Sequence, residues 1–306
     1  MSRTRIHLIC KLAVGCILSA SLVCLAEETD QTAIPNAIEV GPPNPAKEEA
    51  PQESVSPIFT PKQKFIFGLD LSNFYYQEEM APPGKSTERA RLLSPFLRYE
   101  FPMSFSNISM ISMEGKTSGF STTDYDGTTL STNTPVTGKN PALFAQGEID
   151  LHFELIESEL YFFTGLGFHY WNRYLSGGSG YREIYSWLYL PLGLRFEQEL
   201  NELWKLQAEL SYQVMFAGKL LVITSETNPG GDDSSLDLAS RPGLRARAAL
   251  ERSLSPQFSL SAQLWFEASK IGQSNEVFNA SFAGLIHEPS SQTTQSGLSL
   301  AAIYKF

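Results

Sequence analysis

The 306-residue sequence is 42% hydrophobic, and its mean hydropathy of -0.14 excludes a bundle of membrane-spanning helices. A formal net charge of -10 argues against a nucleic-acid partner, because proteins that bind nucleic acid normally carry a basic surface. The three cysteines are Cys10, Cys16 and Cys24, so a chain that has lost its first segment has neither a disulfide framework nor a thiolate metal site.

The first 26 residues have the pattern of a secretory signal peptide. Arg3, Arg5 and Lys11 precede an apolar run that ends at Ala26 in small residues, which is the order expected for cleavage after Ala26. A retained helical anchor is one alternative, but the run is short for a membrane-spanning helix. Cleavage as a lipoprotein before Cys16 is another, and it would leave too short an apolar core. We therefore predict a signal peptide over residues 1–26.

Residues 27–63 form a second segment with seven prolines, seven acidic residues and two lysines. Proline at this density prevents helix and sheet formation, and the excess of negative charge opposes collapse. We predict a disordered or polyproline-like linker in the periplasm, with docking of a partner by the GPPNP segment as the alternative.

From residue 64 onward, apolar and polar residues alternate in ten segments, as in strands with one face toward lipid and the other toward a lumen. Alternation is cleanest over residues 143–155. It is weakest over 107–117, where Ile111 and Met113 are out of phase with Ile108 and Met110. The ten predicted strands cover residues 64–76, 87–101, 107–117, 143–155, 160–173, 181–197, 204–222, 243–251, 257–269 and 297–306.

The connections between these strands alternate between short and long, with long polar stretches at residues 118–141, 223–241 and 271–295. Outer-membrane barrels have short periplasmic turns and long extracellular loops. The pattern therefore predicts extracellular loops at these three stretches and places both ends of the barrel domain on the periplasmic side.

The last predicted strand, GLSLAAIYKF, ends on Phe306 with Tyr304 two residues before it. This ending resembles the C-terminal strand of bacterial outer-membrane β-barrels. The resemblance implies that Tyr304 and Phe306 act as an assembly signal for the barrel-assembly machinery. Residues 165–197, with a glycine-rich aromatic strand and a Tyr-Leu-Pro-Leu-Gly run, resemble a hairpin of small Gram-negative outer-membrane proteins of unassigned function.

These observations predict an all-β protein, an antiparallel transmembrane β-barrel over residues 64–306 in the outer membrane of a Gram-negative-type bacterium. We expect ten strands, within a range of eight to twelve, and outer-membrane lipid as the surrounding partner. The alternative is a soluble sandwich or lipocalin-like barrel. The signal peptide, the aromatic terminus and strands of about 10 to 14 residues, against about 5 to 6 in soluble sheets, favour the membrane barrel.

Charged residues of both signs fall on the predicted inner face. A lumen of about ten strands is nearly filled by side chains, so we expect paired charges that leave it largely plugged. The predicted lumen charges are Asp70, Arg98, Glu100, Glu148, Asp150, Glu154, Arg195, Glu209, Lys219, Arg245, Arg247 and Glu267.

One candidate cluster lies near the predicted extracellular rim. His169 is expected beside Tyr185, with Glu183 one step further out, and a histidine with a nearby glutamate is a possible general-base pair. The ten-stranded omptin proteases have rim acids and histidines, but their paired aspartates have no match at the strand ends here. An interior hydrogen-bonded histidine is the plainer interpretation of His169. The histidines have no metal-ligand spacing, and we predict no metal, cofactor or catalytic residue.

Three functions follow from this architecture. The first is a structural or surface-interaction protein that acts through its extracellular loops. The second is a narrow channel for small solutes, and the third is a hydrolase embedded in the barrel near His169 and Glu183.

Overall fold

The computed structural model describes residues 63–80, 84, 86–103, 107–128, 134–157, 159–175 and 180–306. The predicted signal peptide, and the predicted linker up to residue 62, lie outside the described residues. No helix in the described part of the chain is long and apolar enough to cross a membrane.

The described residues form thirteen strands and one short 3-10 turn, Ala280–Phe282. The strands are β1 (Lys64–Glu78), β2 (Ser86–Pro102), β3 (Ile108–Thr128), β4 (Pro135–Ile156), β5 (Leu160–Leu175), β6 (Tyr181–Glu199), β7 (Trp204–Ile223), β8 (Ser234–Ala239), β9 (Pro242–Ser253), β10 (Phe258–Ser274), β11 (Val277–Asn279), β12 (Gly284–Ile286) and β13 (Ser291–Lys305).

The strands close into an antiparallel barrel. Each of β1 to β7 pairs with the next, and β1 pairs with β13 over fifteen positions, which closes the wall. β8 and β9 share one position in the wall, since β7 pairs with β9 in its first half and with β8 in its second. Together they count as one interrupted strand, so the wall has ten strands. The predicted fold class is confirmed.

The faces of the wall decide between a membrane barrel and a soluble one. Large apolar side chains point outward and are exposed, as with Leu71 at 59%, whereas Arg195 on the inner face is 0% exposed. Soluble proteins bury most of their large apolar side chains and leave most of their charged side chains exposed. The soluble alternatives are therefore excluded for this barrel.

These outward side chains form a continuous apolar belt around the barrel, as expected for a surface in contact with lipid. The belt comprises Phe65, Phe67, Leu69, Leu71, Leu93, Leu97, Met113, Ile149, Leu166, Phe168, Leu190, Leu192, Leu194, Leu210, Tyr212, Val214, Phe216, Leu244, Leu250, Phe258, Leu260, Leu264, Phe266, Leu298, Leu300 and Tyr304.

The two ends of the barrel differ. The terminal end holds Gln63 and Phe306, which are joined by a backbone hydrogen bond, and the turns between strands there are short. The opposite end, here called the loop end, extends well past the belt. Most of the residues predicted as long loops are strand: β3 and β4 continue to Thr128 and from Pro135, and β8, β11 and β12 fall in the other two stretches. Strand segments that lie outside the membrane have polar residues on both faces, so their sequence resembles that of a loop.

Two of the predicted lumen charges, Lys219 and Glu154, are exposed in the structure rather than buried in the lumen. In β7, Ala217 has a positive φ of 49°, and the register with β6 shifts beside it. Inward positions are odd-numbered before this bulge and even-numbered after it, so Lys219 faces outward and is 63% exposed in its side chain. Glu154 keeps the inward parity of β4, in register with Tyr161, but it is exposed because it lies at the terminal end of the strand.

Candidate functional site

The lumen is filled in three levels, which the inward positions of β6 show in order. Arg195 and Glu197 lie toward the terminal end, Tyr189 and Trp187 lie midway, and Glu183 lies at the loop end. Alternation along the strand sends each of these side chains inward. The close approach of β5 supports this filling, because the ring of Tyr189 occupies the space where a side chain at Gly167 would stand.

The first level is an ion-pair network of alternating charges near the terminal end. Arg195 contacts Glu100 at 2.7 Å and Glu197 at 2.7 Å, and it approaches Glu209 at 3.5 Å. Arg98 joins Glu209 to Glu100, each at 3.2 Å. Two parallel hydrogen bonds of 2.8 Å join Arg247 to Glu114. Bidentate guanidinium–carboxylate pairs are among the strongest hydrogen bonds in proteins, so the network ties five strands together across the lumen.

A second group of pairs lies above this network. Arg245 makes a two-pronged contact with Glu148, which also accepts a hydrogen bond from the Tyr189 hydroxyl. Lys116 lies 3.4 Å from Asp70 and 4.1 Å from the centre of the Trp265 ring. Its charge is therefore held between a carboxylate and an aromatic face.

The second level is an aromatic plug. Phe74, Phe144 and Trp171 are in mutual contact, with Phe144 stacked on Trp171 at 5.6 Å. Tyr185 stacks on the other side of Trp171 at 4.9 Å. Below them, His169 stacks on Trp187 at 4.8 Å. Most of these rings belong to a buried apolar cluster that also includes Leu92, Met215 and Leu220.

The third level, here called the mouth cluster, surrounds one cation with four carboxyl groups. Arg173 donates hydrogen bonds to Glu88 at 2.8 Å and to Glu183 at 2.6 Å, and it lies 3.4 Å from Glu78. The hydroxyls of Tyr76 and Tyr185 donate to Glu288 at 2.8 and 2.9 Å. Thr123 and Asn140 donate to Glu88 and complete its hydrogen bonds.

Glu288 joins the mouth cluster from outside the strands, in the segment between β12 and β13. Its backbone is fixed by Ser274, which exchanges hydrogen bonds of 3.0 and 2.8 Å with it. Burial raises the pKa of the Glu288 carboxyl well above its usual range, and the charges of Glu78 and Glu183 raise it further. This buried carboxyl, which accepts hydrogen bonds from two tyrosines, anchors residues 275–290 over the mouth.

Residues 275–290 are also clasped to the neighbouring loop. Asn279 is fully buried and donates to the Asp232 carbonyl at 2.6 Å and to Ser234 at 2.8 Å. The hydroxyl of Ser281 lies 2.9 Å from that of Thr224 and accepts a hydrogen bond from the Asp232 backbone at 2.7 Å. The two loops therefore form one ordered surface.

The lumen contains two small cavities of about 40 and 50 Å³ among its side chains. His169, Trp187 and Glu267 line the first, and Asp70, Arg98 and Trp265 line the second, while Lys116 lines both. Cavities of this size hold a few water molecules. Lys116 therefore stands at the boundary between two small polar spaces.

The predicted rim cluster is not assembled. His169 lies opposite Gln146 on β4 and Trp187 on β6, and its Nε2 lies 3.3 Å from Glu267 of β10. Tyr185 and Glu183 lie one and two inward positions further along and belong to the mouth cluster. The strand pairing predicted from the sequence placed Tyr185 one inward position too close to His169. It also could not identify Glu267, because that residue lies on a strand far away in the sequence.

The other predicted lumen residues are brought together as described above, with Asp150 beside Ser112. The prediction missed Arg173, Glu78, Glu88, Glu114, Glu197 and Glu288. Glu88, Glu114 and Glu197 share the inward parity of their strands with Arg98, Ser112 and Arg195, so alternation alone could have found them. Glu288 lies in a connection and carried no such signal.

Tyr304 and Phe306 lie on the outer face, with their rings in contact at 5.4 Å. Phe258 packs against Tyr304 from the neighbouring strand, so three aromatic rings meet at the terminal edge of the belt.

No protein-family model matches the sequence, and no curated protein sequence matches it. Among solved structures, the outer membrane protease OmpT from Escherichia coli is similar with a TM-score of 0.51 at 9% identity, covering 80% of this chain and 97% of that one.

Two further solved structures are similar at lower scores. Neisserial surface protein A has a TM-score of 0.30 at 12% identity, covering 79% of this chain and 97% of that one. OprG from Pseudomonas aeruginosa has a TM-score of 0.31 at 11% identity, covering 80% and 96%. At these identities the likeness concerns the fold alone. In its fold, this chain is an outer-membrane β-barrel of ten strands with buried salt bridges in its lumen.

Proposed function

We propose that this protein is a sealed outer-membrane barrel that acts through the surface at its loop end, as a structural or surface-interaction protein. The observation that carries the proposal is the filling of the lumen at three levels: the ion-pair network, the aromatic plug and the mouth cluster. Each level joins side chains from strands on opposite sides of the wall, and two cavities beside these side chains have volumes of about 40 and 50 Å³.

The loop end has the features of a contact surface. Its strands extend past the belt, and two loops are held together by the hydrogen bonds of Asn279 and Ser281. Phe278, Phe282 and Leu285 are exposed there, at 62%, 41% and 64%. Exposed apolar side chains on an ordered loop typically mark a site of protein contact.

Conductance measurement tests the sealed lumen. The purified barrel, reconstituted in planar bilayers, is expected to give no reproducible conductance steps under voltage. Reproducible steps of one size would reject the sealed barrel. A known porin in the same bilayer controls for insertion.

The second candidate is a narrow channel for small solutes, and it is favoured by the two polar cavities that meet at Lys116. In that case Lys116, held by Asp70 and Trp265, would act as the barrier between them. Lys116→Ala is the matching variant. A channel predicts larger conductance steps for Lys116→Ala than for the parent protein, whereas the sealed barrel predicts none for either.

The proposal places the terminal end and the linker in the periplasm and the loop end outside the cell. Two single-cysteine variants in the mature chain test it: Asn228→Cys in a loop-end turn and Gln257→Cys in a terminal-end turn, both at exposed positions. A membrane-impermeant maleimide added to intact cells should label only Asn228→Cys. Labelling of Gln257→Cys alone would reverse the orientation.

We also propose the C-terminal strand as the contact with the barrel-assembly machinery, supported by the outward rings of Tyr304 and Phe306. Phe306→Ala should lower the fraction of folded barrel in cells while refolding into detergent micelles stays unchanged. An equal loss in both settings would indicate a structural role alone.

A further inference from the structure

The outer face of the wall changes abruptly above the belt on four adjacent strands, β2, β1, β13 and β10. Leu71 pairs with Leu93 and with Leu298, which form the last apolar row. The next outward pair is Asn73 with Arg91, and the one after it is Tyr75 with Arg89. Outward positions on a strand are two residues apart, so both arginines lie within about 14 Å of the belt along β2.

This part of the outer face, here called the basic sector, carries three exposed cations and no acid. Arg89 and Arg91 stand on β2, and Lys270 stands on β10. The outward residues between them are uncharged: Asn73, Tyr75, Gln77, Gln292, Thr294 and Ser296. The sector ends at Asp124 of β3, which faces Arg89 in register, and at Glu79 past the end of β1.

The cations of the basic sector also differ from other outward cations above the belt. Lys139 is paired with Asp124, Arg182 with Glu226, and Lys219 with Asp237. Within the described residues, the structure records no ion pair for Arg89, Arg91 or Lys270. Arg89 instead lies over the ring of Tyr75, 5.3 Å from its centre, which holds the guanidinium against the wall.

We propose that the basic sector binds the phosphate of a phosphorylated glycolipid, lipopolysaccharide, in the outer leaflet. Lipid phosphates lie just outside the hydrocarbon layer, which is the height of Arg91 and Arg89 above Leu93. Guanidinium groups match phosphate oxygens in two-pronged geometry. The β1 neighbour of Arg91 is the uncharged Asn73, and Asp124, opposite Arg89, is paired with Lys139. The hydroxyls and amides of β1 and β13 face the sugar part of the headgroup.

This inference depends on the proposed orientation, which puts the loop end in the outer leaflet. Binding in micelles does not depend on that orientation, so the two claims fail separately. Loss of the sealed lumen would leave the basic sector unchanged, whereas reversed maleimide labelling would put it in the wrong leaflet.

The test measures binding of lipopolysaccharide to the purified full barrel in detergent micelles, by the rise in melting temperature during titration. Arg89→Gln with Arg91→Gln is the test variant. Arg182→Gln with Lys219→Gln is the matched control, because it removes the same charge from cations that are already paired and leaves Asp124 paired with Lys139. The test variant should lose about tenfold or more in apparent affinity, and the control less than twofold.

Three further probes identify the chemical group that is bound. Dephosphorylated lipopolysaccharide should bind the parent protein as weakly as intact lipopolysaccharide binds the test variant. Inorganic phosphate and phosphatidylglycerol at the same phosphate concentration should bind the parent protein more weakly than lipopolysaccharide. Equal binding of the dephosphorylated form would overturn the phosphate contact, and equal binding of phosphatidylglycerol would overturn the choice of a glycolipid. Equal losses in the test and control variants would reduce the effect to net charge and overturn the site.

Discussion

The two charged levels of the lumen use charge in opposite ways. In the ion-pair network, arginines and glutamates alternate, so that each carboxylate has at least one cation at 2.7 to 3.7 Å. In the mouth cluster, Arg173 is the one cation that the described residues place beside Glu78, Glu88 and Glu183, and Glu288 is joined to them through the hydroxyl of Tyr185. The network has a cation beside each carboxylate, whereas the described part of the mouth cluster has more carboxyl groups than cations. Loss of a carboxylate should therefore destabilise the ion-pair network but reduce the repulsion between carboxyl groups in the mouth cluster.

The largest expected effect is that of Arg195→Ala. Arg195 is fully buried, and its loss leaves Glu100 and Glu197 short of a cation inside the wall. Removal of one partner of a buried ion pair costs about 3–5 kcal/mol. Urea unfolding of the barrel in micelles, followed by the gel shift between folded and unfolded forms, measures the loss. Lys219→Ala, at a cation outside the lumen, is the control.

Arg173→Ala should cost less, about 1.5–3 kcal/mol, although Arg173 is as buried as Arg195. The carboxyl groups of the mouth cluster can take up protons once the cation is lost, and this limits the penalty. The same unfolding measurement at pH 5 and pH 8 tests the explanation. A loss that is equal at both pH values would mean that no proton is taken up.

Loop protection should depend on pH through Glu288. A carboxyl with a raised folded-state pKa is protonated at low pH, so the loop is held most firmly there and loosens as the pH rises through that pKa. The groups that face Glu288 are Tyr76 and Glu78 of β1, Glu88 of β2, Arg173 of β5, and Glu183 and Tyr185 of β6. Hydrogen exchange of residues 275–290, corrected for intrinsic rates, should rise by up to about tenfold per pH unit in this window.

Glu288→Gln is the matched variant for this pH dependence, because its amide oxygen still accepts the hydrogen bonds from Tyr76 and Tyr185. The variant should keep the loop protected at pH 8. An unchanged pH profile in Glu288→Gln would assign the effect to another group. Glu209→Gln, in the balanced network, should instead lower stability at both pH values.

The smallest expected effect is that of Lys219→Ala. The pair Lys219–Asp237 spans 3.6 Å with both side chains largely exposed, and such pairs contribute about 0–1 kcal/mol. Urea unfolding should therefore differ little from that of the parent protein. A loss close to that of Arg195→Ala would place Lys219 inside the lumen, against the register of β7.

The alternating pattern was sufficient to predict the wall and its inward face. Strands such as β4, with Ile149 outward and Glu148 inward, follow directly from a period of two. The same rule fails beyond a bulge, as at Ala217, because one extra residue reverses the faces of the rest of the strand. It also failed for the polar hairpin of β3 and β4, whose residues outside the membrane carry no apolar face.

Contacts across the lumen are the part that the sequence could not give. His169 meets Glu267 from β10, and Arg245 meets Glu148 from β4, because barrel closure and strand tilt bring distant strands together. Barrel closure and strand tilt depend on the register of all the strands together. Single-strand patterns therefore predict which residues point inward, but not which of them meet.

The bulge at Ala217 has a consequence for the polarity of the entrance. Lys219 pairs in register with Ser186, next to Tyr185, so an unbroken β7 would have carried its ammonium group into the acid-rich chamber beside Arg173. Because Ala217 has a left-handed backbone conformation, Lys219 instead lies on the outer face of the wall, 3.6 Å from Asp237. Deletion of Ala217 would restore the alternation of β7 and place a second cation among the four carboxyl groups, which would lower the excess of acid at the entrance.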